Sequence, residues 1–184
     1  MAPEATSRKA RPQAPGRVRP LRDGDRAEWL RLRRALWPEG AGDHPAEVAA
    51  FDLRDAENAV FVCPLRSGGL CGFAEASLRA YAEGCATSPV GYLEGFWVDP
   101  GFRRRGVGRA LVRAVERWAR ARGCSEIGSD AAAENAVSHA AHRALGYREA
   151  GRLVAFMKKL AQSRALRAPR ASVSVRPPSP RRPI

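Results

Sequence analysis

The chain has 184 residues, enough for one domain with a sizeable core, and 45% of them are hydrophobic. No apolar run reaches the roughly 18 residues that cross a bilayer, and the N-terminal "MAPEATSRKARPQAPGR" lacks the apolar stretch of a secretory signal. The formal charge of +13 suggests a nucleic-acid partner, but residues 1–17 hold four Lys/Arg against one acid and 161–184 hold six arginines and no acid, leaving +4 on 18–160.

Three segments follow from this distribution. Residues 1–17 are a basic arm and 161–184 a Pro/Arg-rich tail, both too polar to bury a core and expected to be disordered. Their affinity for polyanions would be nonspecific. The folded domain is expected over 18–160. Its cysteines, Cys63, Cys71, Cys85 and Cys124, have no zinc-site spacing and are too sparse for a disulfide scaffold, so they read as reduced thiols in a cytoplasm.

Along the domain, "RVRPL" (17–21) starts a strand. "DRAEWLRLRRALW" (25–37) spaces Trp29, Leu32 and Leu36 as a helix, with Asp23 or Asp25 as N-cap. "PAEVAAF" (45–51) is a second helix. "AVFVC" (59–63) and "LCGFAEASLR" (70–79) flank the turn signal "RSGG" and predict a hairpin. "GYLEGFWV" (91–98) is a strand stopped by Asp99-Pro100. Val107, Leu111, Val115 and Trp118 share one face of a helix that Gly123 ends. "SEIGS" (125–129) is a short strand, "ENAVSHAAHRAL" (134–145) a helix ended by Gly146, and "LVAFMKKL" (153–160) a closing strand. The order predicts an α/β domain around a mixed sheet.

The stretch "RRRGVGRA" (103–110) lies between a strand and a helix. The first amides of a helix have no intrahelical acceptor, and the helix dipole favours an anion there. Gly106 and Gly108 carry no Cβ, so phosphate oxygens can approach the backbone, and neighbouring arginines add charged hydrogen bonds. The spacing is neither the dinucleotide fingerprint nor a P-loop. An arginine-decorated loop entering a helix is the plainer alternative. A nucleic-acid groove would interleave exposed aromatics with the basic residues, and the aromatics here fall mainly in predicted strands.

"VDPGFRRRGVGRAL" (98–111) resembles the acetyl-CoA segment of the Gcn5-related N-acetyltransferase (GNAT) superfamily, and "EN" (134–135) with "HRALGY" (142–147) resembles its next segment. The resemblance implies a mixed, mostly antiparallel sheet with flanking helices. Strands 91–98 and 125–129 would splay at the acetyl-CoA thioester. It also implies backbone bonds from Phe96, Trp97 and Val98 to the pantetheine arm. The pyrophosphate would be held by Arg103, Arg104, Arg105, Gly106, Val107, Gly108 and Arg109, with Asn135 contacting the cofactor from the other side.

A finer resemblance covers nearly all of 18–160. "LRRALWP" (32–38), "GFAEASLRAYAEGCATSPVGYLEGFWV" (72–98), "RGCSEIGSD" (122–130) and "AHRALGY" (141–147) are similar to the bacterial aminoglycoside 6′-N-acetyltransferases. This implies that Trp37, Tyr81, Glu94 and Asp130 line a pocket for a polycationic sugar, with Glu94 or Asp130 taking the amine proton directly or through water. It also implies a homodimer. Carboxylates suit ammonium groups, and the two aromatics suit sugar faces and cation–π contacts.

Three positions depart from the family pattern. A His often follows the Trp-Pro directly, but here "WPEG" follows and His44 comes later. Gly151 stands where an acid reaches substrate. His142, four before Gly146, stands where many members have a tyrosine that protonates the leaving thiolate. It can do the same, or pack its helix. His139 and His142 have no evident partner carboxylate, so no metal site is expected. Other readings are acetylation of another amine (a polyamine, a small metabolite or a protein N-terminus) and a non-catalytic CoA-sensing or polyanion-binding protein.

Overall fold

The computed structural model describes residues 14–159 apart from Ala41. Residues 1–13 of the basic arm, Leu160 and the whole tail over 161–184 lie outside the described residues, whereas 14–17 of the arm are described: Pro15 bridges Leu65, and the Gly16 amide donates to the Pro64 carbonyl at 2.6 Å. One compact unit runs to Arg152, and the chain from Leu153 belongs to a separate unit.

In chain order the elements are β1 (Arg19–Pro20), α1 (Arg26–Leu36), α2 (His44–Ala50), β2 (Asn58–Pro64), β3 (Leu70–Arg79), β4 (Val90–Val98), α3 (Val107–Arg120), β5 (Ile127–Ser129) and α4 (Ala136–Ala144). The sheet order is β1-β2-β3-β4-β5, antiparallel except for the parallel pair β4–β5. This is the mixed, mostly antiparallel sheet with flanking helices that the sequence predicts.

Both faces of the sheet are covered, which is why β3 is buried along most of its length instead of alternating. On one face α3 lays down Val107, Leu111, Val115 and Trp118 against Ala74, Ala76, Leu93 and Val98. On the other, Trp29 and Leu32 of α1 and Val48 of α2 meet Val60, Val62, Leu70 and Phe73. The predicted stripe of α3 is buried throughout. The helix closes with Gly123 at φ 84°, where the Cys124 amide reaches back to the Ala119 carbonyl.

Two local expectations are corrected. Asp25 precedes α1, but its side chain does not cap the helix; it pairs with Arg19 at 2.6 Å and accepts the Arg22 amide. The Arg19 guanidinium takes both carboxylate oxygens and the Arg22 amide shares one, which turns the group away from the first turn of α1. The expected closing strand over 153–160 is absent from the described residues: 153–159 carry no strand and are exposed. Leu153, Val154, Phe156 and Met157 are each more than three-quarters exposed.

Candidate active site

The site forms where β4 outruns β5. Pairing proceeds Gly91↔Ile127, Tyr92↔Gly128, Leu93↔Ser129 and then stops, while β4 continues to Val98. The cause is a bulge. Glu75 pairs with Gly95 and Ala76 with Leu93, so Glu94 is the extra residue on β4. Leu93 and Phe96 pack toward α3. Glu94 and Gly95 both turn to the α1 face, where Glu94 lines a cavity with Trp29 and Arg33, and Gly95 meets Trp37.

Beyond β4, Pro100–Phe102 form one 3-10 turn, Arg104 adopts a left-handed backbone (φ 59°), and Gly106 at φ 82° starts α3. The Ala110 amide bonds the Gly106 carbonyl, so the amides of Val107, Gly108 and Arg109 begin the helix without an intrahelical acceptor. Gly108 lies against Phe96 and Val98, bringing this helix start to the free edge of β4. These features fit a diphosphate and an extended amide-bearing arm. The arginines are unequal. Arg103 folds back, donating from Nε to the Val98 carbonyl at 2.9 Å and stacking 4.7 Å over Trp97. Arg105 sits over Phe102, and Arg104 and Arg109 are exposed. Asn135 is the N-cap of α4, its side chain accepting the Ser138 amide at 2.9 Å.

On the α1 face the predicted acceptor residues are linked. Glu94 accepts Ser77 Oγ and both Nε and Nη2 of Arg79, the latter at 2.6 Å. The Arg79 guanidinium lies 3.4 Å over the Tyr92 ring. The Tyr92 hydroxyl donates to Asp130 Oδ1 at 2.6 Å. Burial, and then the Asp130 bond, push the Tyr92 phenol well above its usual range, so it stays a donor. Trp37 caps the C-terminus of α1 and packs edge-on against Phe73. A Cβ at Gly95 would run into the Trp37 ring, so the bulge needs glycine there for close approach. Tyr81 is two-thirds exposed on the loop after β3. Glu126 fastens that loop by accepting the Ala86 and Thr87 amides and the Thr87 hydroxyl.

Under Trp37 lies a charge cluster that the sequence does not announce. Arg33 is sandwiched between the Trp29 and Trp37 rings at 5.5 and 5.3 Å and pairs with Glu47 at 2.8 Å and Glu75 at 3.1 Å. Trp29 Nε1 donates to Glu75 at 2.7 Å. Burial pushes the Glu75 carboxyl up to about 7 despite Arg33 and Trp29. Arg33, Glu47, Glu75 and Glu94 share the wall of a cavity of about 240 Å³. His44 is buried and holds the Trp37 carbonyl through Nε2 at 2.9 Å, so it braces Trp37 from behind.

On the β5 side, His142 lies between Phe96 and Tyr147, edge-on to both, with Ser129 at Nε2. His139 is turned away, bonded to the Ala132 carbonyl. Near Gly151, where the family pattern has an acid, stands the side chain of Glu83; its carboxylate accepts the Tyr81 hydroxyl at 2.6 Å. Glu83, Arg79 and Ser129 are thus site-lining residues that the sequence reading passes over. Each lies one or two residues from a position it does single out: Tyr81, or Asp130 after Ser129.

Comparison with known proteins agrees with this geometry. Residues 26–147 match the family model described as "Acetyltransferase (GNAT) family". Aminoglycoside N(6')-acetyltransferase type 1 of Stenotrophomonas maltophilia is 45% identical over 147 residues, which are 79% of this chain and 95% of that protein. Its namesake from Klebsiella aerogenes is 45% identical over 148 residues, 78% of this chain and 96% of that one. Among solved structures, AAC(6')-Iy in complex with the bisubstrate analog CoA-S-monomethyl-acetylneamine superposes with a TM-score of 0.72 at 38% identity, covering 78% of this chain and 97% of that one. The same enzyme in complex with CoA superposes at 0.74 and 37%, covering 82% and 99%. With its parted strands, its bulge and its bare helix start, the chain belongs to the GNAT acetyltransferase family.

Proposed function

We propose that the protein transfers the acetyl group of acetyl-CoA to the 6′-amine of an aminoglycoside. The observation that carries this reading is the linked pair Glu94 and Asp130, set around the parting of β4 and β5, with the far end of β4 against the start of α3. The identity of 45% to named aminoglycoside N(6')-acetyltransferases supports the acceptor.

Acetyl-CoA supplies the activated acyl group, and the chain supplies the rest. Val107, Gly108 and Arg109 offer amides to the diphosphate, and the unpaired edge of β4 from Glu94 to Val98 offers backbone groups to the arm. An ammonium group must lose its proton before it can attack. Both oxygens of Glu94 already accept bonds from Ser77 and Arg79, which suits it to anchoring a cation. Asp130 Oδ1 accepts Tyr92, and Oδ2 has no partner among the described residues, so Asp130 is assigned to take the proton. Trp37, braced by His44, and Tyr81 offer ring faces to the sugar.

A thiol-release assay tests the reading. Kanamycin or tobramycin, each with a free 6′-amine, should turn over, and an analogue lacking that amine should not. Asp130→Asn should lower kcat by roughly 10²–10⁴, the usual worth of a positioned base, with CoA affinity kept. No turnover with either compound, together with tight CoA binding, would retain the acetyltransferase and move the search to other amines.

We further infer a homodimer and a cytoplasmic location. The exposed apolar run Leu153, Val154, Phe156 and Met157 supports the first. The four free thiols support the second. No helix among the described residues is long and apolar enough to cross a membrane.

A further inference from the structure

Ser129 ends β5, and its pairing with Leu93 is the last rung before the strands part. Its Oγ lies 2.9 Å from the Leu93 carbonyl oxygen and 3.0 Å from His142 Nε2. On the far side of the ring, Nδ1 lies 2.8 Å from the Ser138 carbonyl oxygen and 3.2 Å from Ser138 Oγ. A carbonyl oxygen only accepts, so Nδ1 carries a proton in every state of the ring. The Ser129 hydroxyl then has one proton and two acceptors.

When the ring is neutral, Nε2 is a bare lone pair and the hydroxyl points at it. When the ring is cationic, the Nε2 proton points at Oγ and the hydroxyl turns to the Leu93 carbonyl. Both states are fully bonded, and rotation of a single O–H converts one into the other. Phe96 and Tyr147 hold the ring in place. A packing histidine needs no such arrangement.

We propose that Ser129 and His142 form a proton relay to the departing thiolate, an inference that rests on the acetyl transfer proposed above. The carbon–sulfur bond breaks, and the sulfur takes the proton of the Ser129 hydroxyl. Oγ recovers a proton from Nε2 of the cationic ring. The products are a free thiol, an intact serine and a neutral His142, which water recharges. Ser129 is the relaying group, and His142 acts through it.

Imidazole ¹⁵N NMR on the ligand-free protein tests the first half. Neutral His142 should be the Nδ1–H tautomer, the reverse of what free imidazole side chains prefer. Ser129→Ala should shift the Nε2 resonance and leave the tautomer unchanged. The second half uses two acyl donors, acetyl-CoA and its selenoester, whose selenolate leaves without a proton. With acetyl-CoA, Ser129→Ala should lose about a hundredfold in kcat and Ser129→Thr little. With the selenoester, the alanine variant should come within a few-fold of wild type.

An Nε2–H tautomer, an equal loss with both donors, or acetylated Ser129 after acid quench would each overturn the relay. The last result would make the serine a nucleophile instead. A wild-type enzyme inert to every aminoglycoside, with the tautomer as stated, would overturn the acceptor assignment and not the hydrogen-bonded pair.

Discussion

Glu83 stands beside a position where the family pattern has a charge and this chain has none. Gly151 leaves space where a carboxylate would reach a polycation, and the Glu83 side chain stands beside it, held by Tyr81. A charged hydrogen bond contributes roughly 1.5–3 kcal/mol. Glu83→Gln should therefore raise KM for an aminoglycoside by about tenfold or more with kcat little changed, as steady-state kinetics would show. A glycine at 151 signals a loss in the sequence, but the side chain beside it comes from 68 positions upstream, and no spacing rule connects the two. The same limit hides Arg79, whose partner Glu94 lies across the hairpin. Trp37, Glu94 and Asp130 sit inside quoted family segments, but so do Arg79, Glu83 and Ser129; the segments mark the neighbourhood, and only the fold shows which side chains bond within it. Asn135, expected at the cofactor, has its side chain bonded to the first turn of α4.

At the scale of elements, the bulge in β4 is the main device. It puts two successive residues on one face, so Gly95 receives Trp37 while Glu94 reaches Arg79. Gly95→Ala should push Trp37 off the strand, raising KM for the amine with little change in KM for acetyl-CoA; kinetics with each substrate varied in turn would check this. Strand limits followed from hydrophobic runs and turn residues, and β3 was read at its observed limits, Leu70–Arg79. The bulge was not legible, because an alternating pattern with one extra residue looks like ordinary noise in a nine-residue strand.

The cluster beneath α1 makes its own prediction. The Glu75 carboxyl, ordinarily near 4.5 and held at about 7 here, binds its proton more tightly folded than unfolded. Stability should therefore fall as pH rises from about 4.5 to about 7 and level off above that. Denaturant unfolding of wild type and Glu75→Gln at pH 5 and pH 8 should show the variant gaining on wild type by roughly 2.5 kcal/mol across that interval.

For the whole molecule, a sheet buried on both faces explains how a small domain carries its site on a rigid floor. The net charge and the two basic ends said little about this site. The composition of the body and its motifs said much more. The strand expected over 153–160 has the apolar composition of a strand, yet 153–159 carry none. A strand requires a partner, and sequence pattern alone does not provide one. If a second copy covers this run, Phe156→Asp with Met157→Asp should turn a dimer into a monomer by analytical ultracentrifugation. Wild type already monomeric at micromolar concentration would contradict that assignment.

The bulge at Glu94 also divides β4 into two reading frames. Tyr92 in the first half bonds Asp130, and Phe96 and Val98 in the second half adjoin the start of α3. A substitution in the first half can alter which amine is welcomed without disturbing the grip on CoA, and one in the second half can do the reverse. Under the proposed function, a strand built this way lets the acceptor side change while the cosubstrate side stays fixed.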